Sequence, residues 1–416
     1  MKRLLAGLLV AAAAFCTSAV GKPVGAAASP HILLDGLPLA FPVAPRVEAG
    51  RTLVPFRAIA EALGVTVTWY QSTRSIDAQG LNHQVQLQID SAVMSVDGIP
   101  VALDVPPRMV DDRTLVPLRA FSAAFGAKVD WDGATETATL ISPVRPMRTL
   151  AFYALRSYPE RQLVARFSDA AYGWAMLKSD GHVDLAGGEY RWPEPDGDVT
   201  GERLLADAAG ARVRRLLSIH AVDQQTADLA ALVRSPELVA TAATDIVAVV
   251  KSRGFDGVVL DLEGLGQNEQ GDDLQRIRQG FSSLVASVSK ELHAAGKETI
   301  VSVHPLNGWY HGYDYAALAG AADLLEVMAH DFTASGGPEP PDQVEEAIRL
   351  AVSAVGPERR TKLLLGIVAP YETPETLPQK AGLAKRYGLA GVSLWRLGEV
   401  GPERMAALDA TITPQR

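Results

Sequence analysis

The chain has 416 residues, of which 48% are hydrophobic and 21% charged, a composition typical of globular domains with full-sized cores. This excludes a disordered tail, a fibrous repeat and a small disulfide-rich scaffold. A formal net charge of −9 means that neither nucleic acid nor an anionic membrane surface is an expected partner. Cys16 is the single cysteine, so an internal disulfide and a thiolate metal site are excluded.

Residues 1–28 have the features of a secretory signal peptide. Lys2 and Arg3 precede an apolar run over residues 4–15, and small residues follow it. This run is shorter than the roughly 20 residues that span a bilayer. We therefore predict an exported protein, secreted or associated with the cell wall, with no membrane contact after cleavage. An uncleaved signal anchor is the alternative.

The next region contains an internal repeat. The stretch RTLVPFRAIAEALG at 51–64 recurs as RTLVPLRAFSAAFG at 113–126. Each copy predicts a hairpin at an Asp-Gly dipeptide, an extended segment, a short helix that ends at Gly64 or Gly126, and alternating strands. Because this region has no cluster of histidines, cysteines or carboxylates, we predict a structural or adhesive α+β domain over residues 30–142.

The two RTLVP segments resemble those of the copper amine oxidase N-terminal domain, a module of exported bacterial wall proteins. The resemblance implies attachment to the cell wall or a spore matrix through the repeat. Amine oxidase chemistry belongs to a different domain, and the repeat has no histidine cluster that could bind copper.

From about residue 148 onward, apolar runs of strand length alternate with helical stretches. The helix predicted at 236–253 has Ser235 as its N-cap and Gly254 as its stop. Continuous apolar strands separated by helices predict parallel pairing, and eight such units over residues 147–413 predict a (β/α)8 TIM barrel. A doubly wound sheet is the alternative. The eight strands are predicted at 149–155, 170–177, 214–221, 256–263, 299–305, 322–331, 362–370 and 390–397.

The strand at 256–263 reads DGVVLDLE and places two acids, Asp261 and Glu263, at its carboxyl end. Residues two apart on a strand point to the same side, and barrel active sites lie at this end. Two neighbouring acids repel each other, which raises one pKa, as a general acid near neutral pH requires. The alternative is a pair that caps the next helix or faces solvent.

Three segments together resemble glycoside hydrolase family 18, the chitinase-like barrels. DGVVLDLE resembles the D-x-x-D-x-D-x-E signature of the fourth strand, MAHD at 328–331 resembles M-x-Y-D of the sixth, and GVSLWRLG at 391–398 resembles the eighth-strand Trp segment. The resemblance covers about residues 147–413. It implies a retaining hydrolase of β-1,4 bonds next to N-acetylglucosamine, in peptidoglycan or a spore wall with chitin as the less favoured substrate, and it implies no cofactor.

The same resemblance implies roles for individual residues. Glu263 is the general acid, and Asp261 orients the N-acetyl group, which is itself the nucleophile. Two departures from the family pattern are Val259, where the family has Asp, and His330, where it has Tyr. A catalytically silent carbohydrate-binding barrel and a structural wall or coat protein are therefore the alternatives. The residues that we expect to contact substrate are Asp256, His330, Asp331, Trp395, His304 and Trp309.

Other residues allow more than one interpretation. His220 and His304 end strands at the mouth, and we favour hydrogen-bonded pocket residues over a metal site. Glu326 has the parity of an inward side chain, and we predict a buried ion pair with an arginine or lysine. Trp309 and the tyrosines after it either form a sugar platform or pack a loop against the barrel; these tyrosines are Tyr310, Tyr313 and Tyr315.

Overall fold

The computed structural model describes residues 29–334 and 336–416. The predicted signal peptide lies outside the described residues. Within the described ranges, none of the helices is both long enough and apolar enough to span a membrane.

The N-terminal region contains 13 short strands and two helices. The helices are Phe56–Ala62 (α1) and Leu118–Ala124 (α2), and each is followed by a glycine of positive φ, Gly64 or Gly126. The strands are His31–Leu34 (β1), Leu37–Pro38 (β2), Arg46–Glu48 (β3), Arg51–Pro55 (β4), Thr66–Tyr70 (β5), Ser75–Gly80 (β6), His83–Gln88 (β7), Val93–Val96 (β8), Ile99–Ala102 (β9), Arg108–Val110 (β10), Arg113–Pro117 (β11), Lys128–Asp132 (β12) and Thr137–Ile141 (β13).

The two copies of the repeat are interleaved. The equivalent strands β4 and β11 pair antiparallel with Val54 opposite Val116. The hairpin β1–β2 of the first copy pairs with β13 of the second, and the hairpin β8–β9 of the second pairs with β7 of the first. Because each copy completes the sheet of the other, both share one core, in which Phe56 and Phe121 meet edge to face at 5.5 Å. The predicted α+β class is confirmed.

The C-terminal region is a closed barrel of eight parallel strands. β14 pairs with both β15 and β22, which closes the ring. A short strand, Val183–Asp184 (β16), pairs antiparallel with the end of β15, and a final strand, Ile412–Pro414 (β23), pairs with β14. The barrel strands are Arg145–Tyr153 (β14), Asp169–Leu177 (β15), Arg214–Val222 (β17), Gly257–Glu263 (β18), Glu298–Val303 (β19), Leu324–Val327 (β20), Leu363–Val368 (β21) and Gly391–Trp395 (β22).

Helices cover the outside of the barrel. The predicted helix at 236–253 is present as α5: the Ser235 hydroxyl accepts from the N–H of Leu238 at 3.3 Å, and Gly254 has a φ of 71°. The TIM barrel prediction is confirmed. The helices are Gly201–Gly210 (α3), Leu229–Arg234 (α4), Pro236–Ser252 (α5), Gly271–His293 (α6), Tyr315–Ala321 (α7), Pro341–Val355 (α8), Thr376–Tyr387 (α9) and Gly401–Asp409 (α10).

The barrel interior changes character from its amino end to its carboxyl end. At the amino end, Arg148 pairs with Asp169 and Glu298, each at 2.6 Å. A layer of apolar side chains above this ion network seals the centre, and it includes Val259 and Ile300. Polar side chains follow at the carboxyl end, so the chemistry of the barrel is confined to that mouth.

The N-terminal region packs against the outside of the barrel at α9. Asp35 accepts hydrogen bonds from the N–H and the hydroxyl of Ser142 at 2.8 and 2.6 Å. A Cβ on Gly382 of α9 would lie 2.6 Å from the Cβ of Asp35. The glycine therefore allows this close approach, on the side of the barrel away from its mouth.

Candidate active site

Asp261 and Glu263 lie at the carboxyl end of β18, where the strand reaches the mouth of the barrel. Both side chains point inward, because residues two apart share a face of the strand. Asp261 is 5% exposed and the side chain of Glu263 26%. One carboxylate oxygen of Asp261, one of Glu263 and one ring nitrogen of His220 all lie within 4.8 Å of one another. The two acids therefore share one largely dehydrated pocket.

This environment changes the acidity of Glu263. Burial raises the pKa of Glu263 to about 7, and the charge of Asp261 acts in the same direction. The charges of His220 and His330 oppose that shift. A carboxylic acid with this pKa is still partly protonated at neutral pH, so it can donate a proton to a leaving group.

His220, near the end of β17, holds Asp261. Its Nδ1 lies 3.1 Å from Asp261 Oδ2 and 3.7 Å from Glu263 Oε1. Burial opposes protonation, but the hydrogen bond and charge of Asp261 outweigh it and raise the pKa of His220. The ring stacks on Tyr190 with centroids 4.1 Å apart. Sequence reasoning missed Tyr190, because it lies in an irregular segment with neither strand nor helix periodicity.

His304 approaches Glu263 from β19, on the other side. Its Nε2 lies 3.5 Å from Glu263 Oε2 and accepts a hydrogen bond from the N–H of Gly264 at 3.3 Å. Burial lowers the pKa of His304 to about 4, so the imidazole is neutral at neutral pH. Tyr310 packs against the ring at 4.2 Å. His304 therefore confines the acid without adding a charge to the site.

His330 and Asp331 follow β20 and reach the same mouth. Asp331 has a φ of 61°, and its backbone is held there by the buried Glu339, which accepts from the N–H of Asp331 at 2.7 Å and of Phe332 at 3.2 Å. The His330 hydrogen bond, at 3.0 Å, lowers the pKa of Asp331. Burial opposes protonation of His330, but its bond to Asp331 raises its pKa. Sequence reasoning missed Glu339, since a loop has no periodicity that marks a buried residue.

A cavity of about 1000 Å³ opens beside the acid pair. It brings together six of the residues singled out from the sequence: Glu263, His304, Trp309, Tyr310, His330 and Asp331. Trp309 is 80% exposed and lines this cavity, so its ring is available for stacking. Of the three tyrosines after it, Tyr310 also lines the cavity, whereas the buried Tyr313 and Tyr315 do not. Tyr310 covers His304, while the buried hydroxyls of Tyr313 and Tyr315 donate to the carbonyls of Leu262 and His304, each at 2.8 Å.

Trp395 lies at the end of β22, at the same mouth. Its ring is 5.3 Å from that of Phe152 and packs over the apolar layer of the interior. Trp395 is half-buried and forms no part of the wall of the cavity beside Glu263. It is therefore placed as a floor of the mouth, and Trp309 as a separate wall.

The prediction that Asp256 contacts substrate is wrong. Asp256 precedes β18 at its amino end, about 23 Å of strand from Glu263 at about 3.3 Å per residue. Its carboxylate accepts from the guanidinium of Arg215 at 2.7 and 2.8 Å and from the Arg215 N–H at 2.9 Å. Burial opposes ionisation of Asp256, but these bonds lower its pKa. Asp256 fixes the bottom of the barrel.

The prediction of a buried ion pair at Glu326 is also wrong. The inward direction is as predicted, and the residue is 4% exposed. However, in the described part of the chain its carboxyl makes no ion pair with arginine or lysine, and Oε1 accepts instead from the hydroxyl of Ser393 at 2.7 Å.

The group formed by His220, Asp261 and Glu263 also has the residue types of a small cation site. The His220–Asp261 distance of 3.1 Å is equally that of a hydrogen bond between the two side chains. The expectation of no metal and no cofactor stays a prediction.

Comparison with known families agrees with these features. The model of the family described as "Glycosyl hydrolases family 18" matches residues 172–369, and that of the "Copper amine oxidase N-terminal domain" matches residues 33–140. The barrel is therefore similar to the glycosyl hydrolases of family 18. Both resemblances predicted from the sequence are confirmed.

Individual relatives are more distant. The Bacillus subtilis (strain 168) protein named "Putative sporulation-specific glycosylase YdhD" is 23% identical over 249 residues, which cover 54% of this chain and 53% of that protein. This chain thus spans about half the length of its curated relative.

Two crystal structures share the fold of the barrel. A chitinase from Chromobacterium violaceum has a TM-score of 0.52 at 21% identity, over 64% of this chain and 98% of that one. The spore cortex-lytic enzyme SleL of Bacillus cereus has a TM-score of 0.53 at 15% identity, over 66% of this chain and 76% of that one.

Proposed function

We propose that the barrel is an active glycoside hydrolase that cleaves β-1,4 bonds next to N-acetylglucosamine with retention of configuration. The observation that carries this proposal is the position of Glu263: its largely buried carboxyl lies beside Asp261 and lines a cavity of about 1000 Å³, where burial raises its pKa to about 7. A buried acid beside an open cleft can protonate a glycosidic oxygen at neutral pH.

In the proposed reaction, Glu263 gives its proton to the leaving glycosidic oxygen. The carbonyl oxygen of the substrate's own acetamide attacks the anomeric carbon and forms a cyclic oxazolinium ion. Water then attacks the same carbon while Glu263 takes its proton, which restores the acid and retains the configuration. Asp261, held by His220 at 3.1 Å, orients the acetamide N–H and balances the positive charge of the ring.

The other residues bind the sugar chain. The exposed carboxylate of Asp331 and the imidazole of His330 are placed to hydrogen-bond to the acetamide. Trp395 supports one pyranose ring from below, and the exposed ring of Trp309 supports a second along the cavity, because apolar sugar faces pack on aromatic planes. His304, neutral because of its low pKa, limits the space around the acid.

We further propose an exported enzyme that acts on peptidoglycan or a spore wall rather than on chitin. The names of the sporulation-specific relative and of the spore cortex-lytic enzyme support this substrate class. Export rests on the features of residues 1–28. The N-terminal repeat would hold the enzyme on the wall or spore matrix.

Hydrolysis of a fluorogenic N-acetylglucosamine oligomer, with Glu263→Gln as the control, tests the catalytic proposal. We expect release of the fluorophore by the unsubstituted protein, a rate lower by about 10²-fold or more in the variant, and equal oligomer binding by both. Equal fluorescence from both proteins would remove the hydrolase. Retained binding without hydrolysis would leave a carbohydrate-binding barrel.

The role of the repeat needs a separate measurement. Sedimentation of the full chain with purified wall glycan should be prevented by excess isolated repeat, residues 30–142, provided that this fragment shows a cooperative unfolding transition. Sedimentation that only soluble N-acetylglucosamine oligomers prevent would assign wall binding to the barrel.

A further inference from the structure

The side chain of Glu326 fills a space inside the barrel that is open because a glycine stands on the next strand. It points inward from β20, and its Oε1 reaches across β21 to the hydroxyl of Ser393 on β22, at 2.7 Å. At the crossing point on β21 stands Gly366, where a Cβ would lie only 2.3 Å from Glu326 Oε1. Any other residue at position 366 would displace this carboxyl.

The carboxyl of Glu326 lacks the partners that an ionised group needs. In the described ranges its Oε2 is buried with no hydrogen-bond partner, and no lysine or arginine pairs with it. An ionised carboxylate with one hydroxyl as its partner costs several kcal/mol to bury. Because Oε1 accepts from Ser393, the proton of the neutral acid belongs on Oε2.

Strand register places Glu326 and Asp261 in one interior layer. Ser302 on β19 pairs with Glu326 on β20, and its neighbour Val301 pairs with Leu260, the residue before Asp261. Ser302 therefore lies between the two acids, and within the described part of the chain its buried hydroxyl also has no partner of good geometry. Below this layer, β18 contributes only the apolar Val259.

The ionisable groups around Glu326 decide where the proton lies. Glu326 interacts electrostatically with Asp261 and Glu263 of β18, with His330 at the mouth and with Tyr315 of α7. Burial raises the pKa of Glu326 more than its hydrogen bond to Ser393 and the charge of His330 lower it. His330 is already bonded to Asp331, at 3.0 Å.

We propose that Glu326 is a positioning residue that works as a neutral acid: its Oε2–H donates toward Ser302 and Asp261, while Oε1 accepts from Ser393. This leaves Asp261, which has His220 as its partner, as the anionic member of this interior layer. The inference rests on the proposed function, because it assigns Glu326 to the support of the same catalytic pair.

Two substitutions distinguish a neutral donor from an anion. Glu326→Gln keeps an acceptor and an N–H donor, so its kcat should stay within about threefold of the unsubstituted value, with the same pH profile. Glu326→Leu removes both, and its kcat should fall at least about tenfold with KM within about twofold. Glu346→Leu, on the exposed surface of α8, is the matched control and should change neither.

The melting temperature separates positioning from a merely structural role. Glu326→Leu removes the acceptor of the buried Ser393 hydroxyl, which costs about 1–3 kcal/mol, so its melting temperature should fall by no more than about 10 °C and the variant should stay folded at the assay temperature. A Leu variant with full kcat, or one whose loss of activity follows a loss of stability, would overturn the proposal. A Gln variant as inactive as the Leu variant would show that Glu326 acts as an anion.

A readout without turnover keeps this inference separate from the proposed function. In ¹³C spectra of the carboxyl groups, the Glu326 signal, assigned by its loss in Glu326→Gln, should remain that of a protonated acid at pH 7, where an ordinary glutamate is ionised. An ionised signal would overturn the inference even in an active enzyme. A protonated signal in a protein that hydrolyses no oligomer would count against the hydrolase alone.

Discussion

Replacing Glu263 with glutamine should stabilise the folded barrel at neutral and alkaline pH but not at acidic pH. The fold raises the pKa of Glu263 from 4.5 to about 7, so the folded state prefers the protonated carboxyl. At about 1.4 kcal/mol per pH unit, ionising this group costs the folded barrel at most about 3 kcal/mol. This destabilisation is absent below about pH 4.5, grows as the pH rises toward 7 and is complete above it. An amide never ionises and avoids it.

Urea unfolding of the unsubstituted protein and of Glu263→Gln, at intervals from pH 4 to pH 8.5, measures this difference. The two free energies of unfolding should agree at the acidic end and diverge by up to about 3 kcal/mol at the alkaline end, with the variant more stable. Glu291→Gln, at an exposed glutamate of α6, is the control and should show no such divergence. A difference that does not change with pH, or a variant that is less stable at pH 8, would refute the dehydrated pocket around Glu263.

Three further outcomes test the site. In a pH–rate series, kcat/KM on an N-acetylglucosamine oligomer should decline above about pH 7, because Glu263 must be protonated to act; a rate that rises up to pH 9 would contradict this. Trp309→Ala should raise KM about fivefold by removing about 1 kcal/mol of stacking, whereas Trp131→Ala, at an exposed Trp of the repeat, should leave KM unchanged. Dialysis against EDTA should leave the rate unchanged, and recovery of a lost rate with Zn²⁺ would contradict a metal-free mechanism.

Most of the barrel could be predicted from the sequence, since buried parallel strands are continuous apolar runs. The predicted strand ends are mostly within a few residues of the observed ones; the run at 322–331 is the main exception, because β20 ends at Val327. The four residues after it leave the sheet, and the last of them, Asp331, has a positive φ. Strand parity also gave the inward direction of Asp261 and Glu263, because both belong to β18.

Residues brought to the site by loops could not be predicted. Tyr190 reaches His220 from an irregular segment, and Glu339 fixes the backbone of Asp331 from the loop before α8. Their positions depend on how these loops fold over the barrel, and the spacing of residues in the sequence does not predict the path of a loop. At Asp256 the error was to predict a site residue that the structure places elsewhere. It belongs to the family-like motif, but the motif spans the whole strand, so its first residue lies at the other end of the barrel.

The prediction of an ion pair at Glu326 was wrong for a reason that the inward residues of the nearby strands explain. A buried glutamate needs a cation only if it is ionised, and the prediction assumed that it was. The inward residues around it on the neighbouring strands are Ser302, Gly366 and Ser393, which offer two hydroxyls and an empty Cβ position but no positive charge. Such a set of neighbours fits a neutral carboxyl, because hydroxyls can both donate and accept, and it leaves the nearby imidazole of His220 to Asp261. Which of the interior acids is ionised therefore depends on which of them has a cationic neighbour. The neighbours of each acid can be predicted only when the register of the adjacent strands is known.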